Sequence, residues 1–351
     1  MSENLSSRAQ SRGVAVSQAR RRAAKEITRV FKRGQRVALT THVNADGDGA
    51  GSEVALWHML RSRGVRPVIV NPTPFPERYG FLLTDCPGAD KSPRAVKHLE
   101  AADVIVVLDI SDVGRLGHLG RVVEQSGKAV ACIDHHETNG TLPPGPRMID
   151  AAACATGELV YDLARAANWE LSAPAARALY VAILTDTGSF RFANTTPRTL
   201  QIAAHLLGHG VDPEEMYRAV YASEPEGRVR LLAEVLETLV VEREHRLAWV
   251  TVPPGALERH GVDAADLEGV VEIPRSIAGV DLAILFRELA NGRIKVSLRS
   301  VGEIDVARLA SLFGGGGHKR AAGASLDGTL AEVQARVLAA ARDALTRSTR
   351  A

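Results

Sequence analysis

Short apolar runs alternate with helical patterns through the first half of this chain, and three of the four strand-like runs lead directly into a histidine or an acidic residue. Residues 37–41 (VALTT), 67–70, 104–108 (VIVVL) and 129–133 (AVACI) read as buried strands. Between them, 51–63 and 94–101 have helical composition. Strands alternating with helices imply a parallel sheet covered on both faces. Residues 157–167, 174–184 and 197–207 read as further helices. The fold class expected is α/β.

In open parallel sheets, ligands bind outside the carboxyl ends of the strands. The run VALTT is followed by His42 and then by Asp46 and Asp48 in the glycine-rich stretch THVNADGDGAGSE. VIVVL runs into Asp109, and AVACI into Asp134, His135 and His136. A further apolar run, ALYVAIL, ends in Thr185-Asp186-Thr187-Gly188. Five carboxylates and three imidazoles at one edge would repel or stay protonated without a compensating positive charge. A pair of divalent cations supplies it. Oxygen ligands with a minority of imidazoles and no thiolate favour Mn²⁺ or Mg²⁺, and histidine tilts the choice toward Mn²⁺. Two such ions about 3.5–4 Å apart polarise phosphoryl oxygens and stabilise in-line displacement.

Each feature alone has an ordinary reading. An Asp after a strand commonly caps a helix. The GDGAG loop reads equally as a turn or a phosphate cradle, and adjacent histidines are often surface residues. The conjunction of four segments singles out the site.

The texture changes over residues 209–228, expected as a linker. Residues 228–241 read as one helix bridging two domains, and 247–252, 280–288 and 293–299 alternate as strands facing a core on one side. Helices are expected at 305–313 and 330–346, which makes the second domain, 229–346, smaller and α+β. It contains LFGGGGHKRAAG, where glycines permit close approach of the backbone to an anion. Gly315, Gly316, Gly317, His318, Lys319 and Arg320 are therefore candidate ligand contacts, while Gly314 also reads as a helix cap. Arg299 has the bidentate geometry suited to a terminal phosphate. Arg191 is a weaker candidate for the nucleotide, and Phe192 beside it also reads as core.

Net charge of +2 is too near neutral for a protein that coats long DNA, and 4% aromatic residues argue against base reading by stacking. Cys86, Cys132 and Cys154 lie far apart, which excludes a zinc ribbon and fits reduced thiols in the cytoplasm. No apolar stretch approaches the roughly 20 residues of a membrane span, and the N-terminus lacks the apolar core of a secretory signal. Residues 1–16 are expected to be disordered, and the basic segment after them an exposed, solvated helix.

At the acidic residues the sequence resembles the DHH phosphoesterase superfamily. HVNADGDG is similar to its first motif, Asp109 in VVLDIS to its second, IDHHET to its third and TDTGSFRF to its fourth. LFGGGGHKRAAG resembles the signature of the DHH-associated C-terminal domain. The chain has NAD and ETN where NrnA-like members commonly have NPD and PTN, changes that remove no ligand. The resemblance implies a metal-binding domain over 17–208, with His42 and Asp46 on one metal, Asp48, His135 and Asp186 on the other, and Asp109 bridging. It also implies that His136 faces the scissile phosphate, while Asp134 stands behind the ligands and orients a histidine.

The two-domain length points to the NrnA-like branch, since RecJ-type members carry extra domains and family II pyrophosphatases lack GGGGH. The function expected is Mn²⁺-dependent hydrolysis of very short oligoribonucleotides to mononucleotides, with the C-terminal domain holding the nucleotide. Beside it stand a pAp phosphatase, a linear or cyclic dinucleotide phosphodiesterase, and an inactive nucleotide-binding regulator. Substrates are small nucleotides or short RNA; neither membrane nor stable long-DNA binding is expected, and a homodimer is allowed.

Overall fold

A computed structural model describes residues 14–348 apart from 111, 138 and 139. Most of the expected disordered tail, residues 1–13, lies outside it. Packing begins earlier than expected, because the Val14 amide donates to Tyr161 Oη at 3.2 Å and Val16 is buried. The chain divides into two compact units, 1–223 and 224–351.

The first unit is built on five parallel strands: β1 (Arg36–Thr40), β2 (Arg66–Ile69), β3 (Val104–Leu108), β4 (Ala129–Asp134) and β5 (Arg147–Ile149). Their order is β2-β1-β3-β4-β5. Helices α1 (Gln18–Thr28), α2 (Gly47–Ser62), α3 (Ala95–Glu100), α4 (Leu119–Gln125), α5 (Thr156–Ala166), α6 (Ala173–Asp186), α7 (Pro197–Leu207) and α8 (Pro213–Tyr221) complete it. Successive strand residues point to opposite faces, and the core divides accordingly. Val37, Leu39, Val104, Val106 and Leu108 pack with α2, α5 and α6, whereas Ala38, Ile105 and Val107 pack with α3 and α4. Continuous apolar runs, rather than alternating ones, follow from cover on both faces. The α/β expectation is borne out, and β5 is the strand that sequence reading missed.

The expected linker, 209–228, is largely structured. Its middle is α8, whose Met216 and Val220 are buried in the first core, because the apolar spacing MYRAV gives that helix an inward face. The bridging helix expected over 228–241 is two elements within the second unit. Helix α9 (Glu226–Leu236) ends before strand β6 (Val240–Glu242), which pairs with β7 (Leu247–Thr251). β-branched Val240 and Val241 favour that pairing over further helix.

The second unit adds α10 (Ala256–His260), α11 (Glu272–Arg275), β8 (Leu282–Glu288), β9 (Ile294–Ser300), α12 (Val306–Ser311), β10 (Gly316–His318), β11 (Ala321–Leu326) and α13 (Leu330–Ser348). Its mixed sheet has the order β10-β11-β9-β8-β7-β6. One face buries Ile284, Phe286, Val296 and Leu298 against α12 and α13.

Small residues set the spacing of the helices beneath the first sheet. A Cβ on Gly51 would stand 2.5 Å from Ala178 O, and one on Gly157 would stand 2.6 Å from Ala182 Cβ. Helices α2, α5 and α6 thus approach at backbone contact, which brings their acidic ends together. Gly51→Val should destabilise the protein by about 1–3 kcal/mol through overpacking. A lower urea midpoint at unchanged denaturant slope would register it.

Candidate metal centre

The order β2-β1-β3 reverses direction at β1, so the loops leaving β1 and β3 diverge and open a crevice at their carboxyl ends. His42 and Asp46 leave β1, Asp109 leaves β3, and His135 and His136 follow β4. Asp48 lies in the first turn of α2, and Asp186 is the last residue of α6. Asp109 adopts φ +58, an uncommon conformation for any residue but glycine. That local strain turns its carboxylate back across the strand ends.

Three overlapping groups result. His42 Nε2 lies 3.7 Å from Asp46 Oδ2 and 3.6 Å from Asp109 Oδ2. His135 Nε2 lies 3.6 Å from Asp48 Oδ2, 3.7 Å from Asp109 Oδ1 and 3.7 Å from Asp186 Oδ2. The two oxygens of Asp109 therefore serve different clusters, one beside His42 and the other beside His135. His136 Nδ1 also comes within 3.6 Å of Asp109, but its short contact is with Asp134 Oδ1 at 2.8 Å.

The separations are too long for hydrogen bonds. They are near those expected of neighbouring ligands on one cation, which stand about 3–3.5 Å apart when each is about 2.1 Å from the ion. The histidine tautomers agree. His42 Nδ1 pairs with Val43 O at 2.9 Å and His135 Nδ1 with Ala153 O at 3.3 Å, so in the neutral ring each Nε2 would turn its lone pair toward the carboxylates. His42 Nε2 is buried with no hydrogen-bond partner. These residues fit a pair of divalent cations.

The electrostatics carry the same signature. Burial opposes charge on His42, yet Asp109 and Asp46 outweigh it and raise its pKa to about 10. Burial, with Asp109 and Asp186 beside it, pushes the Asp48 carboxyl well above its ordinary value. Burial also lifts Asp186 to about 6, with Asp109 and Asp46 adding to the effect against the pull of His135. Negative charge is concentrated here beyond what the protein itself neutralises.

Backbone amides hold the carboxylates in place. Asp46 Oδ1 accepts from the amides of Asp48 and Gly49 and so caps α2, leaving Oδ2 toward His42. The helix-capping contact and the approach to His42 are made by different oxygens of one side chain. Asp48 accepts from the Thr156 amide at 2.6 Å and the Gly157 amide at 2.8 Å, at the positive end of α5. Thr156 Oγ1 donates to Asp109 at 3.1 Å. Asn194 Nδ2 reaches Asp186 Oδ2 at 3.4 Å and Cys154 O at 2.9 Å. Sequence reading missed Thr156, Gly157 and Asn194; the signal was ATGE opening an apolar helical pattern.

Arg20 corrects the expectation of a wholly solvated basic helix. It is buried, and it bonds Asp150 at 2.7 Å, Glu158 at 2.5 Å and Asp162 at 2.8 Å, with Arg198 completing the network. Glu158 Oε2 in turn accepts from the Cys154 amide at 3.1 Å. The network thus fixes the segment that presents Ala153, Thr156 and Gly157 to the ligands.

In the second unit the glycine run is not an open loop. Gly314, at φ +70, ends α12, and the Gly315 amide donates to Ala310 O at 3.0 Å. Gly316, Gly317 and His318 form β10, the outermost strand, where a Cβ on Gly317 would meet Ala321 O at 2.5 Å. Close strand packing therefore explains Gly315 and Gly317, while Gly316 faces open space. The His318 side chain lies outside what is described. Lys319 pairs with Glu303, Arg320 is exposed, and Arg299 donates to Glu272 Oε1 at 2.8 Å. In the first unit, Arg191 is exposed and donates to Gly188 O at 2.7 Å. Phe192 is 56% exposed, contrary to its reading as core, because it folds over Gly188, where a Cβ would block it.

A parallel-sheet unit that gathers carboxylates and histidines at its switch point, followed by a smaller mixed-sheet unit, defines the class of DHH-type phosphoesterases. Residues 36–183 match the DHH family, N-terminal domain, and 246–347 match the DHHA1 domain. The bifunctional oligoribonuclease and PAP phosphatase NrnA of Thermus thermophilus is 34% identical over 316 residues, covering 89% of this chain and 91% of that protein. A solved exopolyphosphatase-related protein from Bacteroides fragilis is 29% identical with a TM-score of 0.82, covering 95% of this chain and 97% of that one. RecJ from Thermus thermophilus in complex with Mn²⁺ shares the fold at 17% identity and a TM-score of 0.55, over 95% of this chain and 56% of that one. The chain belongs to the DHH family.

Two outcomes test this centre. In chelator, Asp109→Asn should raise the thermal midpoint by about 2–4 °C, since it relieves like-charge repulsion at a positive φ that Asn tolerates. With free Mn²⁺ at 100 times its Kd, the wild-type chain should gain about 2.7 kcal/mol and the variant almost none. Arg20→Met should cost about 3 kcal/mol in urea unfolding, because buried Glu158 and Asp162 keep only Arg198.

Proposed function

We propose that this protein is a two-metal phosphoesterase that hydrolyses very short oligoribonucleotides to mononucleotides and also removes the 3′-phosphate of pAp. The observation that carries the reading is Asp109, whose two oxygens face two separate ligand clusters. The likeness to NrnA from Thermus thermophilus over nearly both whole chains supports the substrate class.

When bound, two divalent cations, Mn²⁺ in this reading, supply Lewis acidity and neutralise charge on the phosphoryl oxygens. Six side chains would hold them: His42 and Asp46, then Asp48, His135 and Asp186, and Asp109, which has an oxygen beside each group. His136 takes a different role. Its Nδ1–H donates to Asp134 Oδ1 at 2.8 Å, which turns Nε2 away from that partner. The same hydrogen bond, against an opposing effect of burial, raises the pKa of His136 above its ordinary value. His136 Nε2 is thus the ring atom left to meet a phosphate oxygen, and Asp134 is its positioning residue. Lys319, Arg320 and Arg191 are exposed cations suited to terminal phosphates. Arg299 is suited as well once it leaves Glu272. Three free, buried cysteines support a cytoplasmic enzyme. Among the described residues no helix is long and apolar enough to cross a membrane.

The deciding assay is Mn²⁺-dependent release of mononucleotide from a 5′-phosphorylated RNA dinucleotide, run beside pAp. Turnover of both is expected. Turnover of pAp alone would make the protein a nucleotide phosphatase, and full activity in Asp109→Ala would overturn the mechanism. His136→Ala should lower kcat by about 10²–10⁴-fold while keeping the Mn²⁺-induced rise in thermal midpoint. Loss of that rise would make His136 a metal ligand instead.

A further inference from the structure

Helix α2 has the metal-facing Asp48 in its first turn, and its other end lies against a second concentration of charge. Residues 20–36 carry eight Arg and Lys against one Glu, in a chain whose net charge is only +2. Several of them converge on a cavity of about 560 Å³, lined by Arg21, Lys25, Arg33 and Arg63 together with Phe31 and Trp169. Among the described residues no carboxylate lines it. Among the described residues none of these four cations forms an ion pair; Arg21 donates to Val16 O at 3.0 Å, and the Arg63 guanidinium stacks 5.2 Å from the Trp169 ring centroid. Each of the four is exposed, whereas Trp169 beneath Arg63 is buried.

Four like charges around one concavity repel one another, and a multivalent anion relieves that repulsion. A stacked guanidinium and the half-buried Phe31 add flat surfaces that suit a planar base. The volume is that of a small-molecule site. We propose that this cavity is a second binding site, for a phosphorylated nucleotide, separate from the metal centre. The 16 residues of α2 separate the two by about 24 Å at 1.5 Å per residue. A dinucleotide held at the metals spans far less, at about 3.4 Å per stacked nucleotide. The ligand here is therefore not the outer end of the short substrate.

The test is calorimetric titration of the full chain in chelator with ADP and, separately, with inorganic pyrophosphate. The wild type is compared with a Lys25→Glu, Arg33→Glu double variant. ADP should bind the wild type at one saturable site, more tightly than pyrophosphate, and roughly tenfold or more weaker in the variant. The variant should keep its Mn²⁺-dependent hydrolysis within about twofold, since neither residue touches the metal centre. Should charge reversal lower the thermal midpoint, the Lys25→Gln, Arg33→Gln pair repeats the comparison. Unchanged ADP affinity in the variant overturns the site. Equal affinity for pyrophosphate and ADP overturns the nucleotide in favour of free phosphate. Charge-dependent binding of long single-stranded RNA, without binding of ADP, overturns it in favour of a strand-binding surface.

Discussion

Carboxylates crowded at the ends of parallel strands and helices govern how the first unit is built. Asp46, Asp48, Asp109 and Asp186 converge within a few ångströms, and two of them are almost wholly buried. Like charges at that distance in a poorly solvated site would separate unless the backbone held them. The N-terminus of α5 does much of the holding, since two of its amides close on Asp48 and the Thr156 hydroxyl on Asp109. Contact packing between α2 and α6 brings Asp186 to the same place from a helix C-terminus, where the helix dipole disfavours negative charge. A site held together against its own electrostatics is one shaped for cations.

The short stretch from Asp150 to Glu158 links scaffold to chemistry. It pairs with β4 through the Asp150 amide, accepts from His135 and Asn194, and donates to Asp48 and Asp109. Arg20 and Arg198 clamp its far side through buried and partly buried ion pairs. Buried ion pairs are weak sources of net stability but strong determinants of geometry once formed. A basic helix near the N-terminus thereby becomes part of the support of the carboxylate and histidine clusters, although none of its side chains belongs to them.

Glycine permits close packing in both units. At Gly51 and Gly157 it lets helices touch, and at Gly315 and Gly317 it lets an edge strand lie against β11. In the GGGGH run, Gly314 and Gly316 have open space where a side chain would stand, and Gly314 is held to glycine by its φ of +70 instead. The run is therefore mainly a packing device that delivers a strand edge, with Lys319 and Arg320 at the turn that follows.

The sequence by itself determined the α/β class and most of the first unit's helices and strands, and it singled out the acids and histidines that the fold gathers into three clusters. Apolar runs covered on both faces leave an unmistakable pattern, and the acid or histidine that follows three of the four strand runs is visible without coordinates. Motif order then implied which residue accompanies which. Other features were legible only in three dimensions. Arg20 resembles its solvated neighbours in sequence, and burial alone separates it from Arg21 and Arg22. Thr156, Gly157 and Asn194 act through hydrogen bonds that span up to 109 positions along the chain, so no local spacing announces them. The glycine run became a strand because β11 offered it a partner, and residues 238–242 left the helix because β7 did. Local chemistry decides which groups are available; long-range pairing and burial, which depend on the whole fold, decide what each of them touches.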